Sequence, residues 1–295
     1  MFNDLINVSK TLNQYFLGFV ALVVGGNDNS VELFSPSGQC SHKLAAFPAT
    51  SQNPVLVYFN AMIIACSGRK SCWEYNVKEN NWSVIATAPF SHNYQPGVVY
   101  QEKLYVIDES NPQVFDPSPR TWSSWPSPPK KSGSAPWIVG WKDCIILLGG
   151  EKNPRGVQIF NTTEQTWTVM DSSQVPMDIF WSSSLTLPDG NVLIVGSIVG
   201  NYQNSAAFYN PADSSWKELE KTVTSHQGTR LVQLGSRIFA IGGRENGIVE
   251  EFLLETNAWK PVDAKLLVRR DGYLSLLALP EKLFSHLQGG CQGVD

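Results

Sequence analysis

Short apolar runs alternate with polar turns along nearly the whole chain, and the runs recur in sets. Between Gly97 and Pro126, Val98 to Tyr100 and Leu104 to Ile107 are β-prone runs parted by a polar turn, a pattern that predicts an antiparallel hairpin. A third run, Gln113 to Phe115, leads into Asp116-Pro117, a strong turn signal, and Trp122 begins a fourth. Four such strands make one small sheet. It cannot bury its faces alone, so it must stack on like neighbours.

The period of the stacking is written in the aromatic residues. Tyr75 stands seven positions before Trp82, and Phe115, Phe160, Tyr209 and Phe252 stand at the same offset before Trp122, Trp167, Trp216 and Trp259. Successive tryptophans lie 40, 45, 49 and 43 residues apart. A third strand ending in an aromatic and a fourth opening with tryptophan bring two large side chains to the hairpin that joins them. There they fill the wedge between adjacent sheets, so these rings are expected in the core. The second run of a set ends in paired glycines at Gly25-Gly26, Gly149-Gly150 and Gly242-Gly243. Such pairs tolerate positive φ and close backbone approach, as strand ends crowded near a central axis require.

An apolar strand running into Gly-Gly, then a spaced aromatic, then tryptophan resembles the Kelch-repeat family over roughly Phe19 to Leu279, each repeat forming one blade of a β-propeller. Complete repeats begin near Val55, Val98, Trp137, Ser183 and Thr229. A sixth is split between the ends. Ala21 to Gly26 and Val31 to Phe34 supply its second and third strands, Ser41 stands where the tryptophan belongs, and Asp271 to Pro280 supplies the missing first strand. The expectation is an all-β, six-bladed propeller of Kelch type over residues 17–281. Its first blade is closed by a C-terminal strand, with an N-terminal extension over 1–16 and a tail over 282–295. Closure leaves no open sheet edge in the ring.

Composition narrows the partners. The 295 residues are 42% hydrophobic and 11% aromatic, ample for a large core, and the net charge of −4 is spread over both signs. No electrostatic footprint for nucleic acid results. The apolar run from Phe16 to Val24 is too short to span a bilayer, and no signal peptide is visible as the chain stands. A monomer without membrane insertion is expected.

Chemistry is sparse. None of the four histidines, His42, His92, His226 and His286, stands at metal-ligand spacing with another histidine or a cysteine, and no nucleophile elbow or phosphate loop occurs. Neither a metal nor a cofactor is expected. Cys66 ends a second strand and Cys72 opens the third, so the two are candidates for a bridge across one short connection. Cys40 in the split blade and Cys291 beyond the closing strand are candidates for another, with Cys144 left as a free thiol. The alternative is five reduced cysteines in a cytoplasmic protein. Glycosylation sequons at Asn7, Asn81 and Asn161 join the bridge candidates in leaning toward an extracellular setting.

In the Kelch resemblance one face of the ring is formed by the connections after each second strand and by the linkers between blades. The connections carry Arg69, Lys70, Glu109, Arg155, Tyr202 and Arg244; the linkers carry His92, Tyr94, Trp181, His226, Arg270 and Asp271. Loops bear function more often than scaffold strands do, and arginine and aromatics dominate binding hot spots. The expected function is non-catalytic binding of a protein or peptide by this face. The alternative is an enzyme acting on a carbohydrate or related small molecule at the channel mouth, lined by His92, His226 and nearby arginines.

Overall fold

The structure is a computed structural model that describes residues 18–287 apart from 27, 38–40, 50–52, 67–69, 92–95, 108–109, 198–203, 244–247, 269 and 271–273. Its strands form six four-stranded sheets. Blade 1 holds β1 (Phe19–Gly25), β2 (Val31–Phe34) and β3 (His42–Leu44), with β24 (Leu274–Pro280) as its inner strand. Blade 2 is β4 (Val55–Phe59), β5 (Met62–Cys66), β6 (Ser71–Asn76) and β7 (Asn81–Thr87), and blade 3 is β8 (Gly97–Tyr100), β9 (Lys103–Val106), β10 (Gln113–Asp116) and β11 (Thr121–Ser124). Blade 4 is β12 (Trp137–Trp141), β13 (Cys144–Leu148), β14 (Val157–Asn161) and β15 (Thr166–Val169). Blade 5 is β16 (Ser183–Thr186), β17 (Val192–Val195), β18 (Ala206–Asn210) and β19 (Ser215–Glu218). Blade 6 is β20 (Arg230–Leu234), β21 (Arg237–Ile241), β22 (Val249–Leu253) and β23 (Ala258–Val262).

The inner strands β24, β4, β8, β12, β16 and β20 touch in sequence, and β20 returns to β24, so the ring is closed. Its seam lies within blade 1, where β24 pairs antiparallel with β1 from Phe19↔Pro280 to Gly25↔Leu274. The expected six-bladed propeller with its C-terminal closing strand is the observed fold. A 3-10 turn, Glu281–Phe284, follows and buries Phe284 against the core between blades 1 and 2.

Burial peaks at the second strands and falls toward the outer edge. Second strands such as VLIV of β17 are wholly buried, whereas fourth strands such as TWSS and SWKE are polar with only tryptophan turned partly inward. Each tryptophan pairs in register with the aromatic seven positions earlier: Tyr75↔Trp82, Phe115↔Trp122, Phe160↔Trp167, Tyr209↔Trp216 and Phe252↔Trp259. Ring centroids lie 4.7 to 5.1 Å apart. The turn between them has one shape. Asn76, Asp116, Asn161 and Asn210 each accept the amide two residues on, and the residue two before each tryptophan takes positive φ, 48° at Asn80 to 59° at Ser214. An Asx turn followed by a left-handed residue explains why polar residues fill a fixed spacing.

Linkers between blades are held by a side chain two positions before the hairpin aromatic, facing the linker that enters the same blade. Gln158 accepts from Lys130 N at 2.8 Å and donates to Lys130 O at 2.9 Å. Gln113 accepts from Phe90 N, Glu32 from Leu267 N and Glu250 from Val223 N. All four are buried. Blade 2 uses an apolar version, Trp73 edge-on to Phe47 at 5.0 Å. These anchors satisfy backbone donors that the buried linkers would otherwise leave unpaired.

Candidate functional site: the channel mouth

Each well-described linker ends in a left-handed residue two positions before the inner strand: Asn53, Ala135, Trp181 and Gly228, with φ of 53°, 50°, 55° and 74°. The kink turns the chain from the linker into the channel. It thereby sets Asn53, Trp137, Trp181 and Arg230 around a cavity of about 380 Å³. Arg230, the first residue of β20, is 8% exposed. Its Nη1 donates to Thr229 O at 2.7 Å and its Nη2 to Asn53 Oδ1 at 2.6 Å, while its guanidinium carbon sits 4.7 Å from the centroid of the Trp137 ring. Asn53, Trp137 and Arg230 come from blades 2, 4 and 6, so this one side chain ties alternate blades together across the channel. Burial lowers its pKa to about 10, which still leaves it cationic at neutral pH. Among the described residues no carboxylate pairs with it.

The residues singled out from sequence divide sharply. Trp181 stands at the mouth. Arg155, on the β13–β14 connection, reaches to the linker that carries Trp181, with Nε 2.8 Å from Asp178 Oδ1. Lys70 is exposed on the β5–β6 connection, and its carbonyl accepts from Ala88 N at 2.7 Å. The same connection is clamped by a Cys66–Cys72 disulfide between cross-strand partners. Cys144 is a free, half-buried thiol whose pKa burial raises. Arg69, His92, Tyr94, Glu109, Tyr202, Arg244 and Asp271 lie outside the described residues, as do Cys40 and Cys291.

Two expectations are corrected. His226 and Arg270 are not on the accessible face: they are 0% and 1% exposed. His226 Nδ1 lies 3.2 Å from Thr229 Oγ1 and its Nε2 3.0 Å from Glu250 Oε1. The Arg270 guanidinium grips Glu32 Oε1 through Nε and Nη2 at 3.0 and 2.9 Å and also donates to the Gly25 and Ser30 carbonyls. The physical reason is the linker path. It carries these side chains inward, where the third strand of the same blade offers a buried carboxylate, and a buried carboxylate is tolerated only when so partnered.

No family model matches the chain, but curated proteins do. Kelch-like protein 21 of Danio rerio is 24% identical over 196 residues, which are 64% of this chain and 31% of that protein. The proteins of that name from Rattus norvegicus and Homo sapiens are each 25% identical over 197 residues, 64% of this chain and 32% of theirs. With six blades and the aromatic-to-tryptophan repeat already established, the assignment follows. The fold is a Kelch-type propeller. The chain spans about a third of the length of the curated relatives it matches. Within this Kelch propeller, Arg230 is a mouth residue that stands in a strand, outside the connections and linkers from which candidates were drawn. The signal was there: the equivalent first positions of the other inner strands are Val55, Gly97, Trp137, Ser183 and Leu274, none of them charged.

Proposed function

We propose that this Kelch propeller is a non-catalytic scaffold that binds a protein or peptide partner with its channel-mouth face. The fold and the Kelch-like relatives support a protein-interaction scaffold in general terms. The observation that favours this face is the convergence of Trp137, Trp181 and Arg230 on one concave opening. Rigid aromatics and arginine in a desolvated recess are the makings of a hot spot. Lys70 and Arg155 on the surrounding connections add exposed cationic groups at the same end of the strands. The enzyme alternative is weakened by His226, which is enclosed between blades rather than lining the channel.

Capture from the source organism tests the reading. Wild type and Lys217→Ala, a change on the exposed outer strand β19, are expected to recover the same partners. Trp181→Ala and Lys70→Ala/Arg155→Ala are expected to lose them while keeping wild-type thermal stability to within a few degrees. Recovery of identical partners by all four proteins would refute the choice of face.

A further inference from the structure

We propose that the cavity at the mouth binds a small organic carboxylate, with its anionic head on Arg230 and on the hydroxyls of Ser182 and Ser184, and its apolar body against the inner strands. This inference does not rest on the protein-partner reading, since a propeller without any protein partner would keep the same cavity.

The charge balance comes first. A guanidinium has five N–H donors, and among the described residues the acceptors of Arg230 are Thr229 O and Asn53 Oδ1, both neutral. The face of Trp137 offers partial compensation, yet no described carboxylate answers the charge, in contrast to Arg270 and Arg237, which hold Glu32 and Glu251. Burying a cation without a counter-charge is costly, so an anion entering the cavity would offset part of that cost.

The hydroxyls are independent of the arginine. Ser182 and Ser184 line the cavity, are 3% and 8% exposed, and their Oγ atoms have no hydrogen-bond partner within the described fold. Ser183 between them points the opposite way and accepts from Leu231 N at 2.9 Å. Alternation along β16 and β20 therefore turns Ser182, Ser184 and Arg230 to the same channel side. Ser275 and Ser197, also buried, donate to Pro54 O and Phe180 O, and the other buried serine with an unsatisfied hydroxyl, Ser132, is not among the cavity lining. Two unsatisfied hydroxyls lining the same cavity as a guanidinium with no carboxylate partner among the described residues make a donor set suited to one carboxylate.

Size and walls define the rest of the ligand. The volume falls in the range of small-molecule sites. The walls are apolar where Val55, Val139, Leu185, Leu231 and Leu276 contribute, and Arg230 is the one charged residue among the described lining. A single cation among apolar walls favours a monoanion with a compact apolar or aromatic body. A dianion would leave charge unmatched.

Titration calorimetry and tryptophan fluorescence with benzoate as probe and benzamide as its neutral counterpart test the site. Saturable benzoate binding is expected, at least tenfold tighter than benzamide. Ser182→Ala/Ser184→Ala is expected to weaken benzoate tenfold or more with no fall in Tm, because those hydroxyls make no hydrogen bond among the described residues. Arg230→Gln is expected to abolish binding; if it fails to fold, the double serine variant decides alone. A second arm uses a short peptide with a free or an amidated C-terminus. Should the free-acid peptide bind through Arg230 and the serines while benzoate does not, the carboxylate comes from a partner chain and the small-molecule proposal falls. Equal binding of benzoate and benzamide, or benzoate binding untouched by both variants, or no binding of either probe, would overturn it.

Discussion

Glu250 and His226 meet 3.0 Å apart with no solvent exposure on either, one on the third strand of blade 6 and the other on the linker that leads into the same blade. Glu250 also accepts the Val223 and Thr224 amides, each at 2.9 Å, and the Thr224 hydroxyl. Glu250, like Glu32, is a carboxylate member of a series of linker anchors in which Gln113 and Gln158 are the amide members. His226 also lies 3.2 Å from Thr229 Oγ1, so the anchor contacts the residue that precedes the mouth arginine.

Acid is expected to release this anchor. Burial by itself raises the Glu250 pKa, but the His226 side chain, the Thr224 hydroxyl and the Val223 amide outweigh it and bring the value down to about 2, from 4.5. A carboxyl depressed in the folded state contributes stability that is complete above its unfolded pKa. That contribution is lost as pH falls from about 4.5 through about 2, and a depression of this size corresponds to about 3 kcal/mol. Urea unfolding from pH 7 to pH 3 should show the stability gap between wild type and Glu250→Ala narrowing as pH drops. A gap independent of pH would show that the carboxylate is not the source.

Glu250→Gln should be milder than Glu250→Ala at pH 7, by roughly 1 to 2 kcal/mol, because an amide oxygen can still take the linker donors as Gln158 does. Denaturant midpoints compare the two, and equal losses would mean that the linker contacts contribute nothing.

The aromatic pairs should carry stability without touching the mouth. Trp167 packs on Phe160 at 5.1 Å and on Trp125 at 5.5 Å and donates from Nε1 to Pro126 O at 2.9 Å. Trp167→Ala is expected to cost about 3 to 5 kcal/mol and Trp167→Phe about 1 to 2 kcal/mol, the latter from the lost hydrogen bond and reduced volume. Equilibrium unfolding monitored by far-UV circular dichroism gives both values.

Removal of everything after Asp271 should abolish the cooperative unfolding transition. The missing strand pairs with β1 along its length and brings the buried Leu274, Leu279 and Phe284. Its loss strips one inner wall of the channel and opens a long sheet edge. A truncated protein melting like the intact one would contradict closure by β24.

Breaking the Cys66–Cys72 disulfide closes no large loop, since the residues are six apart. Cys66→Ser/Cys72→Ser should therefore destabilise by roughly 2 kcal/mol in the chain-entropy picture, and non-reducing peptide mapping should find the linked peptides in oxidised protein.

The architecture was legible because its repeat is local. Tyr209 and Trp216, or Phe160 and Trp167, lie within one hairpin, so a spacing of seven reports a turn shape that needs no distant contact. The split blade was legible because Leu274–Pro280 reads as an inner strand with nothing following it to complete a blade. The mouth was only partly so. Trp181 was found because linkers end near the channel, but Arg230 lies within a strand, and its partners Asn53 and Trp137 are brought to it by ring closure alone. His226 and Arg270 were misplaced for the same reason in reverse: a polar residue in a loop reads as solvated until the fold supplies Glu250 or Glu32 beneath it.

Hydrogen–deuterium exchange of the propeller, alone and saturated with a captured partner, tests the binding face most directly. The account predicts slowed exchange in the connections and linkers around the mouth, at residues 130–136, 149–156 and 178–184, with the outer strands β7, β11, β15, β19 and β23 unchanged. Protection confined to those outer strands, with the mouth exchanging as in the free protein, would contradict it.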